Sequence, residues 1–495
     1  MNLSSVNPTT AFVVPELRAV LRGRVITPED SDFDEARTIF YGGFDRRPAA
    51  IVRPVDATDV SRVVTLAREA GVELAVRSGG HSAAGHGTTE GGIVLDLRSL
   101  RALEIDPEWR SAWAQTGLTA GEYTAATAAF GLATGFGDTG SVGIGGITLG
   151  GGVGYLVRKH GLTVDSLLAA EVVTADGELR HVDAETEPDL FWAIRGGGGN
   201  VGVATRFRFR LHEVDTVVGG ILVLPATPDV IASFVAAAEA APDELSTIAN
   251  VMPAPPMPFL AAEHHGRLVV MATVVYAGDV DAGLRAIAPF RALATPLADL
   301  VRPMPYPAIY AFAEGGGHPF AAVRTLFADT IDRGMAETIL DRLRAGSAPM
   351  RAAQLRVLGG AMARVPDEAT AFAHRRRRIM VNVAAMDGRP DGMAEHEAWA
   401  TAFAAALRQD DPGAYVNFLG NEGEGRVREA YPGPTWDRLV AVKRRYDPTN
   451  LFRLNQNIPP TAWPAEKTGS VGETGWGRTG GRIEDRSPVP AGTRR

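Results

Sequence analysis

The 495-residue chain contains no cysteine. That absence excludes disulfides, thiolate metal ligands and a cysteine nucleophile, and it suits a reducing compartment. Positive charge is also short: 50 Lys and Arg stand against 58 Asp and Glu, a net charge of −8. The basic footprint of a nucleic-acid binder is therefore missing. The one dense basic run, His374 to Arg378 (HRRRR), reads as a solvated strand or loop edge. Long apolar runs are absent too, and the N-terminal MNLSSVNPTTAFVVPELRAVLRG has no basic segment followed by an unbroken apolar core. A soluble, cytoplasmic protein is the expectation. No internal repeat and no metal-ligand set is visible.

What is present is ordinary globular material, 45% hydrophobic and long enough for two or more domains. From Ala50 to Leu97 the chain reads strand, helix, strand, glycine loop, strand. ATDVSRVVTLAREAG places Val60, Val63, Val64 and Ala67 at helical spacing before Gly71. VELAV and GGIVLDL flank the loop as β-rich runs. Thr119 and Glu122 stand at capping-box spacing and open a helix over about Gly121 to Ala129. LAAEVVTADGELRHV reads as a hairpin through Asp176-Gly177, and DLFWAIRGGGGNVGVATRFRFRL as a helix, a glycine loop and an alternating strand. From about His212 long helices alternate with strands, which marks a second α/β region to about Asp411. YVNFLG then reads as a strand ahead of a further helix, and the stretch from Pro464 as disordered.

Half of the residues from Gly135 to Gly154 are glycine. A helix or strand core does not tolerate that composition, so the segment is expected to be loop whose backbone lies against a ligand or another backbone. With RSGGH (Arg77 to His81) and Gly196 to Gly202 it makes three glycine-dense loops. Successive N–H groups in such loops form anion-binding nests, so a phosphate-containing cofactor is the physical inference. GIGGITLGGG has the wrong spacing for a Rossmann fingerprint, and no Lys-Ser or Lys-Thr follows to make a P-loop.

RSGGH, GGIVLDL, VGIGGITLGGGVGYLVRKHGLTVDSL, DLFWAIRGGGGNVGV and YDPTNLFRLNQNI follow one another from about Pro48 to Pro460. Together they resemble the FAD-linked oxidases of the vanillyl-alcohol-oxidase superfamily, and within it the berberine bridge enzyme-like group and its bacterial 6-hydroxynicotine-oxidase branch. The resemblance implies an α+β fold of two domains. A split, PCMH-type FAD-binding domain would occupy residues 1–212, and a substrate domain whose sheet covers the flavin residues 213–411. A C-terminal segment, 412–463, would return to the FAD domain, ahead of a disordered tail, 464–495.

The resemblance further implies FAD bonded through His81 to the 8α-methyl of the isoalloxazine. A neutral imidazole is the nucleophile such a link needs. Arg77, Ser78, Gly79, Gly80, Ser82 and Gly85 share the His81 loop and are expected to bind the cofactor. So are Thr139, Gly140, Ser141, Val142, Gly145, Gly146, Gly150, Gly151, Gly154 and Leu156 in the second loop, and Gly202 and Val203 after the third. His86 falls beyond the motif and is expected to be structural. Many relatives carry a second, cysteinyl tether where Thr139 stands, so a single histidyl link is expected here. Val142 matches the small residue that leaves room for dioxygen.

Relatives have Y-x-N-Y where this chain reads Tyr415-Val416-Asn417-Phe418, so Phe418 replaces a proton-handling tyrosine. A second base position, glutamate in the founding plant enzyme, falls near Asn382. With neither base present, the chemistry is expected to need no strong protein base. Tyr415 and Asn417, on one face of a strand at i, i+2 spacing, are expected to hydrogen-bond flavin or substrate, as are Asn455 and Asn457. His374 is expected near the cavity as an acid, base or polar anchor, or else as a structural histidine. The implied reaction moves hydride from a C–H of a small alcohol, amine, sugar or secondary-metabolite intermediate to flavin N5, with reoxidation by dioxygen to hydrogen peroxide. A dehydrogenase with another acceptor and a flavin-carrying binding protein are the alternatives. The partners expected are substrate and dioxygen, not nucleic acid or membrane, for a monomer or homodimer.

Overall fold

The computed structural model describes residues 8–313, 317–409 and 413–461. The tail expected to be disordered lies outside the described residues. Helix Ala57–Ala70 forms where its periodicity places it. Asp56 accepts the Asp59 N–H at its start, Val60, Val63, Val64 and Ala67 are buried, and Gly71 ends it at φ 64°. The helix carries the chain from strand Ala50–Arg53 to strand Leu74–Arg77. Both pair in parallel with Ile93–Asp96, and Arg24–Ile26 adds an antiparallel edge. All four residues of Ile93–Asp96 are buried, as a central parallel strand requires. The RSGGH loop leaves the carboxyl end of Leu74–Arg77, where parallel sheets present ligand sites.

A second sheet is antiparallel, in the order Leu103–Asp106, Ser111–Gln115, Val203–Arg210, Leu167–Val173, Leu179–Asp183. Alternation in Val203–Arg210 buries Phe207 and Phe209 while Arg210 is exposed. The hairpin through Asp176-Gly177 is present, with Gly177 at φ 87°.

The third sheet has eight antiparallel strands. Ala298–Asp299, Thr216–Pro225, Leu268–Tyr276, Leu245–Pro253, Met350–Val357, Ile379–Asp387 and Phe320–Ala328 follow in spatial order, and Arg302–Pro305 also pairs with Thr216–Pro225. One face packs Val251, Val274, Leu355 and Val383 against Phe234, Ile287, Leu340 and Phe403. Those four come from helices Pro228–Ala240, Val280–Arg291, Arg333–Ala345 and Met393–Ala406. The period of two sends Asn250, Gln354, Arg356 and Asn382 to the opposite face. The result is the mixed α+β architecture expected.

Three local expectations are corrected. Ile144–Leu149, inside the glycine-rich segment, is a short helix, because Gly143 and Gly150 flank a run whose Ile144 and Thr148 find buried sites. YVNFLG is not a strand: Val416–Phe418 is a single 3₁₀ turn without a β partner. The HRRRR run is only partly solvated. Arg375 is fully buried and grips both carboxylate oxygens of Asp165 at 2.7 and 2.8 Å, while Arg376 and Arg378 are exposed.

Candidate active site

The three glycine segments, the bare face of the large sheet and the C-terminal segment enclose a cavity of about 950 Å³. Its size is at the upper end for small-molecule and cofactor sites. His81 lines it, its ring stacked on Phe40 at 4.1 Å and 19°. Burial lowers the imidazole pKa from 6.5 to about 4, and the Ser141 backbone offsets only part of that shift. At neutral pH the ring is therefore uncharged and its nitrogen lone pair is available. His86, expected to be structural, also lines the cavity; burial holds it near 4, and its Nε2 has no protein partner.

Close backbone approach explains the first two glycine segments. A methyl on Gly79 would collide with the Gly143 backbone, and one on Gly150 would collide with the Asn417 amide, so these segments press on each other as well as on the cavity. Gly79, Gly80, Ser82, Gly145, Gly146, Thr139 and Val142 border the cavity, as do Gly202 and Val203. Gly85, Gly140, Ser141, Gly150, Gly151, Gly154 and Leu156 do not line it. Gly85 faces Phe44, Gly154 the Phe136 carbonyl, and Leu156 packs on Gly135. Two expected ligand side chains have protein partners. Ser78 Oγ donates to the Thr116 carbonyl at 2.6 Å and accepts from the Gly145 N–H at 3.3 Å. Buried Arg77 bonds Asp96 at 2.9 Å and the Ala36 carbonyl at 2.6 Å, tying adjacent strands, yet leaves its NH1 unpartnered at the cavity wall.

From the C-terminal segment Tyr415, Asn417, Phe418, Tyr431 and Asn455 line the cavity. Tyr415 and Asn417 meet although they lie on no strand: the Tyr415 hydroxyl oxygen accepts from the Gly152 N–H at 3.0 Å and from Asn417 Nδ2 at 2.9 Å. Burial raises the Tyr415 pKa, with the Asn417 and Gly152 bonds opposing it, so the phenol stays protonated and keeps its O–H to donate. Asn455 donates to the Gly199 and Phe452 carbonyls, and its Oδ1 is buried without a partner. Asn457 does not line the cavity, although its Oδ1 is likewise unpartnered. His374 is also not part of the lining. It is buried between Phe327 and Phe372, with Nε2 at 3.2 Å from the Ala430 carbonyl.

Sequence reasoning missed the roof. Arg356, 4% exposed, bonds Asp138 at 2.6 Å, the Val153 carbonyl at 3.2 Å and Gln354 at 2.8 Å, and its guanidinium lies 5.0 Å from the Phe418 ring centre. One side chain thus fastens the sheet to two points of the Gly135–Gly154 segment and to the Tyr415 turn. The floor was missed as well: Lys443 and Asp447, both fully buried, pair at 2.6 Å and hold Asn200 of the third glycine loop through its carbonyl. Arg356 and Asp138 come from separate motifs and have no joint sequence signature; Lys443 and Asp447 stand at i, i+4, but nothing local shows that both are buried.

The residues fit a large phosphate-bearing, hydrogen-bonding group such as FAD. Arg77 NH1, His86 Nε2, Tyr431 Oη and Asn455 Oδ1 are buried at the cavity wall with no protein partner, and buried polar atoms of that kind require one. Among the described residues no group of three or more His, Cys, Asp or Glu could hold a metal ion, and no helix is long and apolar enough to cross a membrane.

Comparison with known proteins identifies the family. Residues 48–183 match the family model described as FAD binding domain, and 414–459 the one described as berberine and berberine like. The chain is 32% identical over 457 residues to (R)-6-hydroxynicotine oxidase of Paenarthrobacter nicotinovorans, covering 89% of this chain and 97% of that protein. The crystal structure of 6-hydroxy-D-nicotine oxidase from Arthrobacter nicotinovorans superposes with a TM-score of 0.81 at 30% identity, over 89% of this chain and 98% of that one. A chitooligosaccharide oxidase shares the fold, with a TM-score of 0.78 at 22% identity over 92% of this chain and 100% of that one.

Proposed function

The chain belongs to the berberine-bridge-like FAD-linked oxidoreductases, and from that premise we propose that it holds FAD on one covalent link through His81 and acts as an oxidase on a small organic C–H donor. It is an FAD-binding oxidoreductase by membership. The observation that carries the proposal is the uncharged His81 imidazole, stacked on Phe40 at the wall of a cavity bordered by all three glycine segments. With no cysteine in the chain, a cysteinyl link is chemically impossible.

FAD, when bound, supplies a two-electron acceptor for hydride and passes the electrons to dioxygen. Backbone of the RSGGH loop, Gly145-Gly146 and Gly199-Asn200 would hold it, with Asn455 and Tyr431 offering polar atoms. Phe40 fixes the His81 ring in plane, which orients its lone pair. Tyr415 serves as a donor, because both lone pairs of its oxygen are already occupied. Asn417 sets that phenol's position and packs against Gly150. Neither Asn382 on the sheet nor Phe418 in the C-terminal turn can accept a proton, so the proton leaves through the substrate's own group or water. In this reading 1–212 and 412–463 form the FAD part, and 213–411 the substrate part. Substrates are alcohols, amines, sugars or secondary-metabolite intermediates, and dioxygen is the acceptor.

An absorbance spectrum, acid precipitation and intact mass test the tether. Yellow colour that stays with the pellet, and one FAD of added mass lost in His81→Ala, is the expected result. Flavin that washes out of the unaltered protein on acid treatment overturns it.

A further inference from the structure

The cavity-facing side of the large sheet carries a row of uncharged hydrogen-bonding groups in register. Asn250 pairs with Gln354 and Gln354 with Asn382 across neighbouring strands. Gln354 Nε2 donates to Asn250 Oδ1 at 3.0 Å, and Arg356 Nε donates to Gln354 Oε1 at 2.8 Å. Asn382 Oδ1 is buried and has no partner in the protein. Arg356, the cation bonded to this row, is matched by Asp138 at 2.6 Å, so the row is electrically neutral. Asp387 borders the cavity from the strand next to Met386, but its side chain turns to the helix face, 3.7 Å from His396. Beyond the amides the wall becomes apolar, with Met350 and Met386 side by side.

We propose that the substrate is uncharged where it meets this row: a neutral molecule bearing an amide, lactam or hydroxyl group, with an apolar remainder lying along Met350 and Met386. The proposal rests on reading the cavity as a flavin oxidase site. An ammonium or carboxylate brought against the amide row would lose its water without meeting a free counter-charge, a costly transfer. An amide or hydroxyl meets donors and acceptors of its own kind, and a site built on such groups rejects analogues that lack them. Asp138 is then a specificity-determining residue: by neutralising Arg356 it keeps anions out.

The test is binding of three probes of one size to the flavin-loaded protein, followed by flavin difference spectra: benzamide (neutral), benzoate (anion) and benzylammonium (cation). Benzamide is expected to bind at least about tenfold more tightly than either ion, a preference that Gln354→Ala reduces by about as much. Asp138→Asn bares the Arg356 charge and is expected to shift preference toward benzoate by about tenfold; Gln354→Glu, which leaves the Arg356–Asp138 clasp in place, shifts it toward benzylammonium. An ion bound most tightly by the unaltered protein overturns the proposal, as does an unchanged preference in folded Gln354→Glu. A protein that carries no flavin would instead sink the oxidase reading on which the proposal stands, so the two failures are told apart by colour alone.

Discussion

Replacing Lys443 by Met should cost the protein about 3–5 kcal/mol, the usual penalty for breaking a buried ion pair from one side. Lys443 and Asp447 are both fully buried, one helical turn apart. The ammonium donates to Asp447 at 2.6 Å, to the Asn200 carbonyl at 2.8 Å and to the Phe452 carbonyl at 2.9 Å. Asp447 in turn accepts the Leu451 and Phe452 N–H groups. Methionine fills nearly the same space but leaves a buried carboxylate without its cation and two carbonyls without this donor. The Phe452 carbonyl keeps the Asn455 amide, but the orphaned Asn200 carbonyl alone is worth about 1–3 kcal/mol, a loss that overlaps with that of the pair. Since a whole protein is stable by only about 5–15 kcal/mol, the effect is easily read in a urea unfolding curve of the flavin-loaded protein. Asn200 borders the cavity, so flavin fluorescence should also report loosening before global unfolding. A Lys443→Met protein within about 1 kcal/mol of the parent, far below the penalty for a buried pair, would refute the reasoning.

Three further outcomes follow. Burial depresses the pKa values of His86 and His212 to about 4 and of His160 to about 3, so below 6.5 the unfolded chain binds protons that the native state refuses. Stability should therefore fall as pH drops from about 6.5 toward about 4, at about 1.4 kcal/mol per pH unit for each histidine that is fully shielded and less for the partly exposed His160–His212 stack. Urea midpoints across that window check it, and His212→Gln should flatten the slope. Tyr415→Phe removes the acceptor of the buried Gly152 N–H and should destabilise by about 1–3 kcal/mol; rapid-reaction spectroscopy should show slower flavin reduction, and an unchanged rate would remove Tyr415 from the site. Gly79→Ala drives a methyl into the Gly143 backbone and should yield folded protein with little or no flavin, measured as the ratio of visible to ultraviolet absorbance.

Much of the local structure was legible because it obeys short-range rules. The helix Ala57–Ala70 carries its cap, its apolar face and its terminal glycine within one window, and Thr119 forms its capping box with Glu122. The misreadings share one cause. Ile144–Leu149 is helical despite Gly145 and Gly146, and Val416–Phe418 turns despite a strand-like pattern, because contacts with distant segments outweigh propensities of up to about 1 kcal/mol per residue. His374 stayed open between two readings for a similar reason: a histidine beside a basic run gives no sign of whether it faces a cavity or, as here, two phenylalanines.

By itself the sequence determined which segments would border the cavity, since glycine density at RSGGH, Gly135–Gly154 and Gly196–Gly202 is a property of residues close together in the chain, although Gly140, Gly150, Gly151 and Gly154 within them do not line it. It also determined that any covalent tether had to come from a side chain other than cysteine. Only the tertiary structure decided the electrostatics of the cavity. Asp138 and Arg356 are 218 residues apart in the chain yet bonded, and Asn200 and Lys443 are 243 apart. Whether such a charge is free to meet a substrate or already cancelled depends on which strands and loops the fold brings within hydrogen-bonding distance, and local patterning carries no record of that.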